Sequence, residues 1–225
     1  MNKIAELFTI SGYQKDINWI EVCSKQHCSY LNRKCLKNRK SQADISIGTC
    51  TVKYGAECNV IICPYRLLER KQIFMDCLHL LTAHEPGNEL HLLSEISIPG
   101  GNVDYFIVST DSDRNVKDFI GIELQTLDTT GTVWPERQRF LKKQGIKVNN
   151  EDSDSVKSFG MNWKMTAKTI LVQLHHKIDT FECLNKHLVL IVQDCFLDYI
   201  KKNFHLLIFP KMQNLENPCT FILTL

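Results

Sequence analysis

The sequence predicts an α/β fold in which a mixed β-sheet is flanked by helices. Three observations carry that reading. Runs rich in β-branched and aromatic residues recur between residues 90 and 126; apolar residues at helical spacing precede and follow them; and the apolar run 187–192 reads as one more buried strand after the second long helix.

The elements follow in order. Residues 1–22 read as a short helix and a lead-in, and residues 23–63 are rich in cysteine and basic residues, with little apolar periodicity before Val60-Ile61-Ile62. Pro64 sits where a helix begins, because its fixed φ suits the first helical position. Leu67, Leu68, Phe74, Met75, Leu78 and Leu81 then recur at helical spacing up to a stop at His84-Glu85-Pro86-Gly87. Residues 90–98 read as a strand. Pro99-Gly100-Gly101-Asn102 reads as a turn whose glycine pair permits a bulge or a close approach to a backbone phosphate. Residues 103–108 and 119–126 read as paired strands, joined through a polar stretch whose Asp111, Asp113 and Asp118 suit a solvated turn. Residues 128–132 read as a loop, Trp134-Pro135 opens a short basic helix through Lys143, and 149–155 read as an exposed acidic loop. A helix over 161–184 follows, with Leu171, Leu174 and Ile178 on one face. Then come the strand 187–192, a helix capped by Asp194 and running to Asn203, and short strands at 205–209 and 221–225.

The 225 residues suffice for one large domain or a domain with a small module. The pattern divides them into a cysteine-rich N-terminal segment, 1–64, and a sheet-containing domain, 65–225. Hydrophobic residues make up 44% and charged residues 23%, and the net charge of +2 is too small to argue by itself for a polyanionic partner. No apolar run approaches the ~18 residues of a membrane-spanning helix. The N-terminus carries Glu6 early and lacks a long apolar core, so it makes a poor signal peptide and the expectation is a cytoplasmic protein.

The chemistry is concentrated in the paired strands. Alternate side chains of a strand share a face, so Glu123 and Gln125 project together, and a partner strand can set Asp104 beside them. Carboxylates that close repel one another unless a divalent cation lies between them, and magnesium held by carboxylates on strands suits phosphodiester hydrolysis. Asp104 and Glu123 are therefore the expected magnesium ligands. Glu95, on the preceding strand, assists directly or through a bound water; Gln125 orients the attacking water or steadies the developing charge.

Six of the ten cysteines, Cys23, Cys28, Cys35, Cys50, Cys58 and Cys63, fall within residues 23–63. In a reducing compartment such a local group points to metal rather than disulfides, and a short, core-poor segment gains its stability from the metal. Within it, residues 33–40 hold five basic side chains, Arg33, Lys34, Lys37, Arg39 and Lys40, a solvated face or a phosphate-contacting surface. Arg137 and Arg139, on the helix after the acidic strands, are further candidates for contact with DNA.

Together these features resemble the NotI-like family of type II restriction endonucleases. The residues that carry the resemblance are Ile47-Gly48-Thr49-Cys50-Thr51-Val52, Ile61-Ile62-Cys63-Pro64-Tyr65-Arg66, and Glu123-Leu124-Gln125-Thr126 followed by Leu127-Asp128 and Gly131. The resemblance implies a PD-(D/E)XK nuclease core with Gln125 in place of the usual lysine, and catalytic residues Glu95, Asp104, Glu123 and Gln125 with magnesium as cofactor. It also implies a structural iron or zinc held by Cys28, Cys35, Cys50 and Cys63, with Cys23 and Cys58 as alternates, in a homodimer that cuts palindromic double-stranded DNA. The departures are Cys28-Ser29-Tyr30, where the family tends to have Cys-Pro-aromatic, and a longer gap from Cys35 to Cys50. Two other readings share the same residues: a metal-stabilised DNA-binding protein without chemistry, and a repair nuclease of the same fold.

Overall fold

A computed structural model describes residues 2–55, 58–204, 213–214 and 220–224; the expected strand at 205–209 lies outside them. The chain forms two compact units, one from Met1–Glu69 with Leu127–Asn162, the other from Arg70–Thr126 with Trp163–Leu225.

The first unit contains β1 (Ile4–Leu7), β2 (Ile10–Ser11), α1 (Trp19–Lys25), β3 (His27–Cys28), β4 (Arg33–Lys34), β5 (Asn38–Arg39), β6 (Gln42–Ser46), β7 (Thr49–Tyr54) and β8 (Cys58–Ile61). Numbering in chain order, its later stretch adds β12 (Thr129–Gly131), α3 (Trp134–Lys143), α4 (Asn150–Ser153) and β13 (Phe159–Met161). An antiparallel sheet of order β2-β1-β7-β8 is its frame. The segment expected to open on a helix opens on strands, because Ile4 and Leu7 are wholly buried with Val52 and Val60, a burial that a strand paired to β7 supplies. α3 seals this core, with Trp19 standing edge-on to its Phe140 at 5.0 Å. That helix is not the solvated basic face its charges suggest: Trp134 through Gln138 are buried. A short helix also replaces the expected loop near 150, capped by Asn149, whose side chain accepts from the Glu151 N–H at 3.0 Å.

The second unit opens on the end of a 3₁₀ stretch (Pro64–Lys71), followed by α2 (Gln72–Cys77) and a 3₁₀ turn (Leu78–Leu80). One continuous helix was expected over this stretch. Arg70 and Lys71 break it with φ of 54° and 56°, left-handed values that an α-helix cannot propagate, and Met75 is exposed as a result. Then come β9 (Glu89–Ile98), β10 (Gly101–Thr110), β11 (Val116–Gln125), α5 (Trp163–Cys183), β14 (His187–Gln193), α6 (Asp194–Phe204), β15 (Gln213–Asn214) and β16 (Thr220–Thr224). They build the expected mixed sheet, in the order β15-β16-β14-β11-β10-β9. β9, β10 and β11 run as an antiparallel meander, and β14 joins β11 in parallel, a pairing that demands a long crossover ending in α5. Asp118, expected in a solvated turn, is instead buried at the edge of this meander, bonded to Lys186 Nζ at 2.5 Å and to the Ala83 N–H at 2.8 Å.

Helices cover both faces of the sheet. Phe74 of α2 meets Tyr105 edge-on at 5.3 Å, while Phe181 of α5 stacks on Phe106 at 5.9 Å, on the face that also carries Asp104. Two absent side chains bring α5 this close. A Cβ on Gly121 would lie 2.3 Å from the Phe181 ring, and one on Gly100 would lie 2.0 Å from the His176 carbonyl oxygen. The Thr180 hydroxyl closes the contact by donating to the Pro99 carbonyl at 2.9 Å. The glycine turn thus serves helix docking, where the sequence suggested room for a phosphate. Among the described residues no helix is long and apolar enough to cross a membrane.

Gly100 has φ of 95°, so Gly100→Ala is strained twice, in the backbone and against His176. The expected outcome in urea denaturation is a loss of at least ~2 kcal/mol of stability.

Candidate active site

Strand register aligns the acidic residues. Tyr105 pairs with Ile122 and Phe106 with Gly121, which sets Asp104 opposite Glu123. On the other side Val103 pairs with Ile96 and Tyr105 with Ser94, which sets Asp104 opposite Glu95. Glu95, Asp104 and Glu123 therefore form one transverse row over three adjacent strands, and cross-strand neighbours in such a row share a face. Glu95 has φ of 56° and an exposed side chain, and its charge reaches Asp104. Gln125 lies two residues beyond Glu123, half-buried, its amide donating to the Thr126 carbonyl at 2.6 Å.

The two central carboxylates are held differently. The Leu124 N–H donates to Asp104 Oδ2 at 2.8 Å, while Lys177 Nζ of α5 donates to Glu123 Oε1 at 2.5 Å. Both members of the ion pair are almost wholly enclosed, with side-chain exposures of 5% and 6%. Burial raises the proton affinity of Asp104, against the pull of the Leu124 N–H and Lys177. Burial likewise pushes Glu123 up from 4.5 to about 7, with Lys177 pulling down and Asp104 pushing up. Carboxylates enclosed and crowded in this way favour any cation that can share them.

Lys177 escaped the sequence reading. Its signal was a cation inside the buried stripe of α5, which runs Thr166, Ala167, Ile170, Leu174, Lys177 and Phe181. Lys177 and Phe181 lie four residues apart on the helix, about 6 Å. Glu123 and Gly121 lie two residues apart on β11, about 7 Å. Phe181 over Gly121 therefore aims Lys177 at Glu123.

In the first unit the cysteines sort into neighbours and bystanders. Cys28 ends β3 and receives the Tyr30 and Leu31 N–H groups, with Cys35 and Cys63 acting on its charge; burial is the leading cause of its raised proton affinity. Cys50, in β7, shares a hydrogen bond with Cys63, which lowers Cys63 and raises Cys50; the Tyr65 and Arg66 N–H groups also lower Cys63. Cys23 instead lies on α1 near Arg137, and Cys58 begins β8 opposite Tyr54. Among the described residues no three His, Cys, Asp or Glu side chains stand close enough together to hold a metal ion.

The basic candidates divide too. Arg33, Lys34, Lys37 and Lys40 are exposed. Arg39 pairs with Asp152 at 3.0 Å and stacks on Trp134, whose ring also carries Arg137 at 4.6 Å. Arg137 is buried and donates to the Ile47 carbonyl at 2.7 Å; Arg139 bonds Glu136 and the carbonyls of Ser153 and Ser155.

The family described as "Restriction endonuclease NotI" matches residues 23–216 of the chain. No curated protein matches it.

Because the folded state raises the Glu123 value, the native protein takes up a proton there, so this contribution to stability is full below pH 4.5 and is lost as pH rises through about 7. The stability difference between wild type and Glu123→Gln should fall over that window, by up to ~1.4 kcal/mol per pH unit for one proton. Urea titrations of both proteins at pH 5, 6 and 7 check it; a constant difference contradicts it.

Proposed function

We propose that this chain, which belongs to the NotI restriction endonuclease family, cuts double-stranded DNA at a centre built on Asp104 and Glu123 of its mixed sheet. Membership makes it a site-specific deoxyribonuclease. The observation that carries the assignment of the centre is the row Glu95–Asp104–Glu123, in which the half-buried Asp104 and the buried Glu123 share one face of adjacent strands. This is the geometry expected of a PD-(D/E)XK core, and residues 65–225 supply its sheet.

The donor set suits magnesium. That ion keeps several waters and takes one or two carboxylates together with substrate phosphate, so it does not require three protein ligands. Asp104 and Glu123 would hold it, with Glu95 joining directly or through a water. Bound there, the metal supplies a more acidic water and neutralises charge on the phosphate. The chain's own residues do the rest: the strands fix the carboxylates, the Leu124 N–H orients Asp104, and Gln125 steadies the attacking water.

In the first unit Cys28, Cys35, Cys50 and Cys63 would supply the ligands of a structural iron or zinc, and binding it would draw them closer together than they stand here. Support comes from the mutual influence of these sulfurs and from the backbone N–H groups aimed at Cys28 and Cys63, bonds that favour thiolates. Four thiolates accept both metals. Arg33, Lys34, Lys37 and Lys40 are the phosphate contacts, being exposed and basic. Two copies act together, each cutting one strand of a palindromic site. The edge strand β9, exposing Leu90, Leu92 and Leu93, is a surface a second copy can cover.

Glu123→Ala should abolish cleavage of plasmid DNA in magnesium while duplex binding, measured by gel shift in calcium, stays within about threefold, since the variant removes a metal ligand and no DNA contact. Full cutting by it would sink the assignment. Elemental analysis should find about one iron or zinc per chain, lost from Cys28→Ser, Cys35→Ser, Cys50→Ser and Cys63→Ser and kept by Cys23→Ser and Cys58→Ser.

A further inference from the structure

We propose that Lys177 is a catalytic residue of this centre: its ammonium group, delivered from α5, binds a non-bridging oxygen of the phosphate being cut. The inference rests on the reading of Asp104 and Glu123 as the cutting centre and adds a member that the sheet itself does not carry.

The placement is built. Lys177 interrupts the buried stripe of α5 between Leu174 and Phe181, at a position where a leucine would pack without desolvating a charge. A buried ion pair gives little stability beyond what an apolar pair of similar volume gives, so its presence on a carboxylate of the acidic row calls for another reason. The backbone is shaped around it. Gly100 lets the helix close to its His176 carbonyl, and Gly101 lies beside the lysine stem, where a Cβ would stand in van der Waals contact with Lys177 Cε at 3.4 Å. Phe181, four residues on, is pressed over Gly121 and fixes the rotation of the helix. The ammonium group that arrives is the only cation these contacts bring to the row among the described residues, and Glu123 takes one of its three N–H bonds. Two have no partner among the described residues, and the side chain is 5% exposed, so the substrate phosphate meets them only as it seats in the row.

Gln125 sharpens the case. It lies two residues after Glu123 and offers an amide, without charge, to the reaction. A cation at Lys177 restores positive charge on the protein side of the same row. In the step, a water oxygen bonds to phosphorus and the bond from phosphorus to the leaving oxygen breaks. The water's proton passes to solvent, and the leaving oxygen takes a proton from solvent. Lys177 keeps its proton throughout and stabilises the charge gathered on the non-bridging oxygens.

The test uses the full chain and a duplex carrying the cleavage site. Wild type must first cut it in magnesium; if it does not, the cutting centre itself falls, and this inference with it. With wild type active, Lys177→Met should lower the single-turnover rate at least ~100-fold. Its duplex affinity in calcium should stay within about threefold; its melting temperature falls because Glu123 is left enclosed without its partner, so rates are compared at equal folded concentration. Lys177→Arg should recover at least ~10-fold of the lost rate, because it restores the donor and the charge. Lys177→Gln is read in the same assays should Lys177→Met fail to fold. Cutting by either neutral variant within threefold of wild type would overturn the proposal and leave the centre intact. So would a loss of rate that only tracks a loss of folded protein or of duplex binding.

Discussion

Everything at the candidate centre depends on how closely α5 lies on the sheet. Gly100 and Gly121 leave out the two side chains that would hold the helix off, one against its backbone and one against Phe181. With that gap closed, the aromatic group Phe106, Phe119 and Phe181 forms an apolar floor beside the acidic row, and Lys177 enters one helical turn before Phe181. The enclosure raises the proton affinity of both carboxylates, and the same enclosure strengthens every charge interaction within it. Packing and chemistry here are one constraint.

The first unit shows a comparable economy around Glu6. This buried carboxylate of β1 accepts from Tyr30, from Thr51 at 2.7 Å and from Arg66 at 3.0 Å, tying β7 and the segments that carry Cys28 and Cys63 to one strand. Breaking one member would leave a buried charge short of partners, which is costly. The segments carrying Cys28, Cys50 and Cys63 therefore hang on a frame already fixed by hydrogen bonds. A structural metal would lock that frame further.

Much of the second unit was legible in the sequence. β9, β10, β11, β14 and α6 stand within a few residues of where β-branched runs and an Asp cap put them, because their periodicities are strong and their ends carry Pro, Gly or Asp. The row of Glu95, Asp104 and Glu123 was legible too, since register follows from the turn and from face alternation. Other features were not. The break at Arg70 and Lys71 needs left-handed backbone at residues with no preference for it. The burial of Trp134 and Arg137 depends on a segment far earlier in the chain, as the bond from Arg137 to the carbonyl of Ile47, in the link between β6 and β7, illustrates. Lys177 was hidden because spacing alone reads a lysine in an apolar stripe as an interruption, and only the partner at Glu123 gives it meaning.

The most direct test of the account is to sequence the DNA ends left by the wild-type protein in magnesium, beside those left by Asp104→Asn. A cutting centre on Asp104 and Glu123 predicts ends at one fixed sequence and offset from wild type, and none from Asp104→Asn at equal folded concentration. Ends scattered over unrelated sequences, or the same fixed ends from Asp104→Asn, would contradict it.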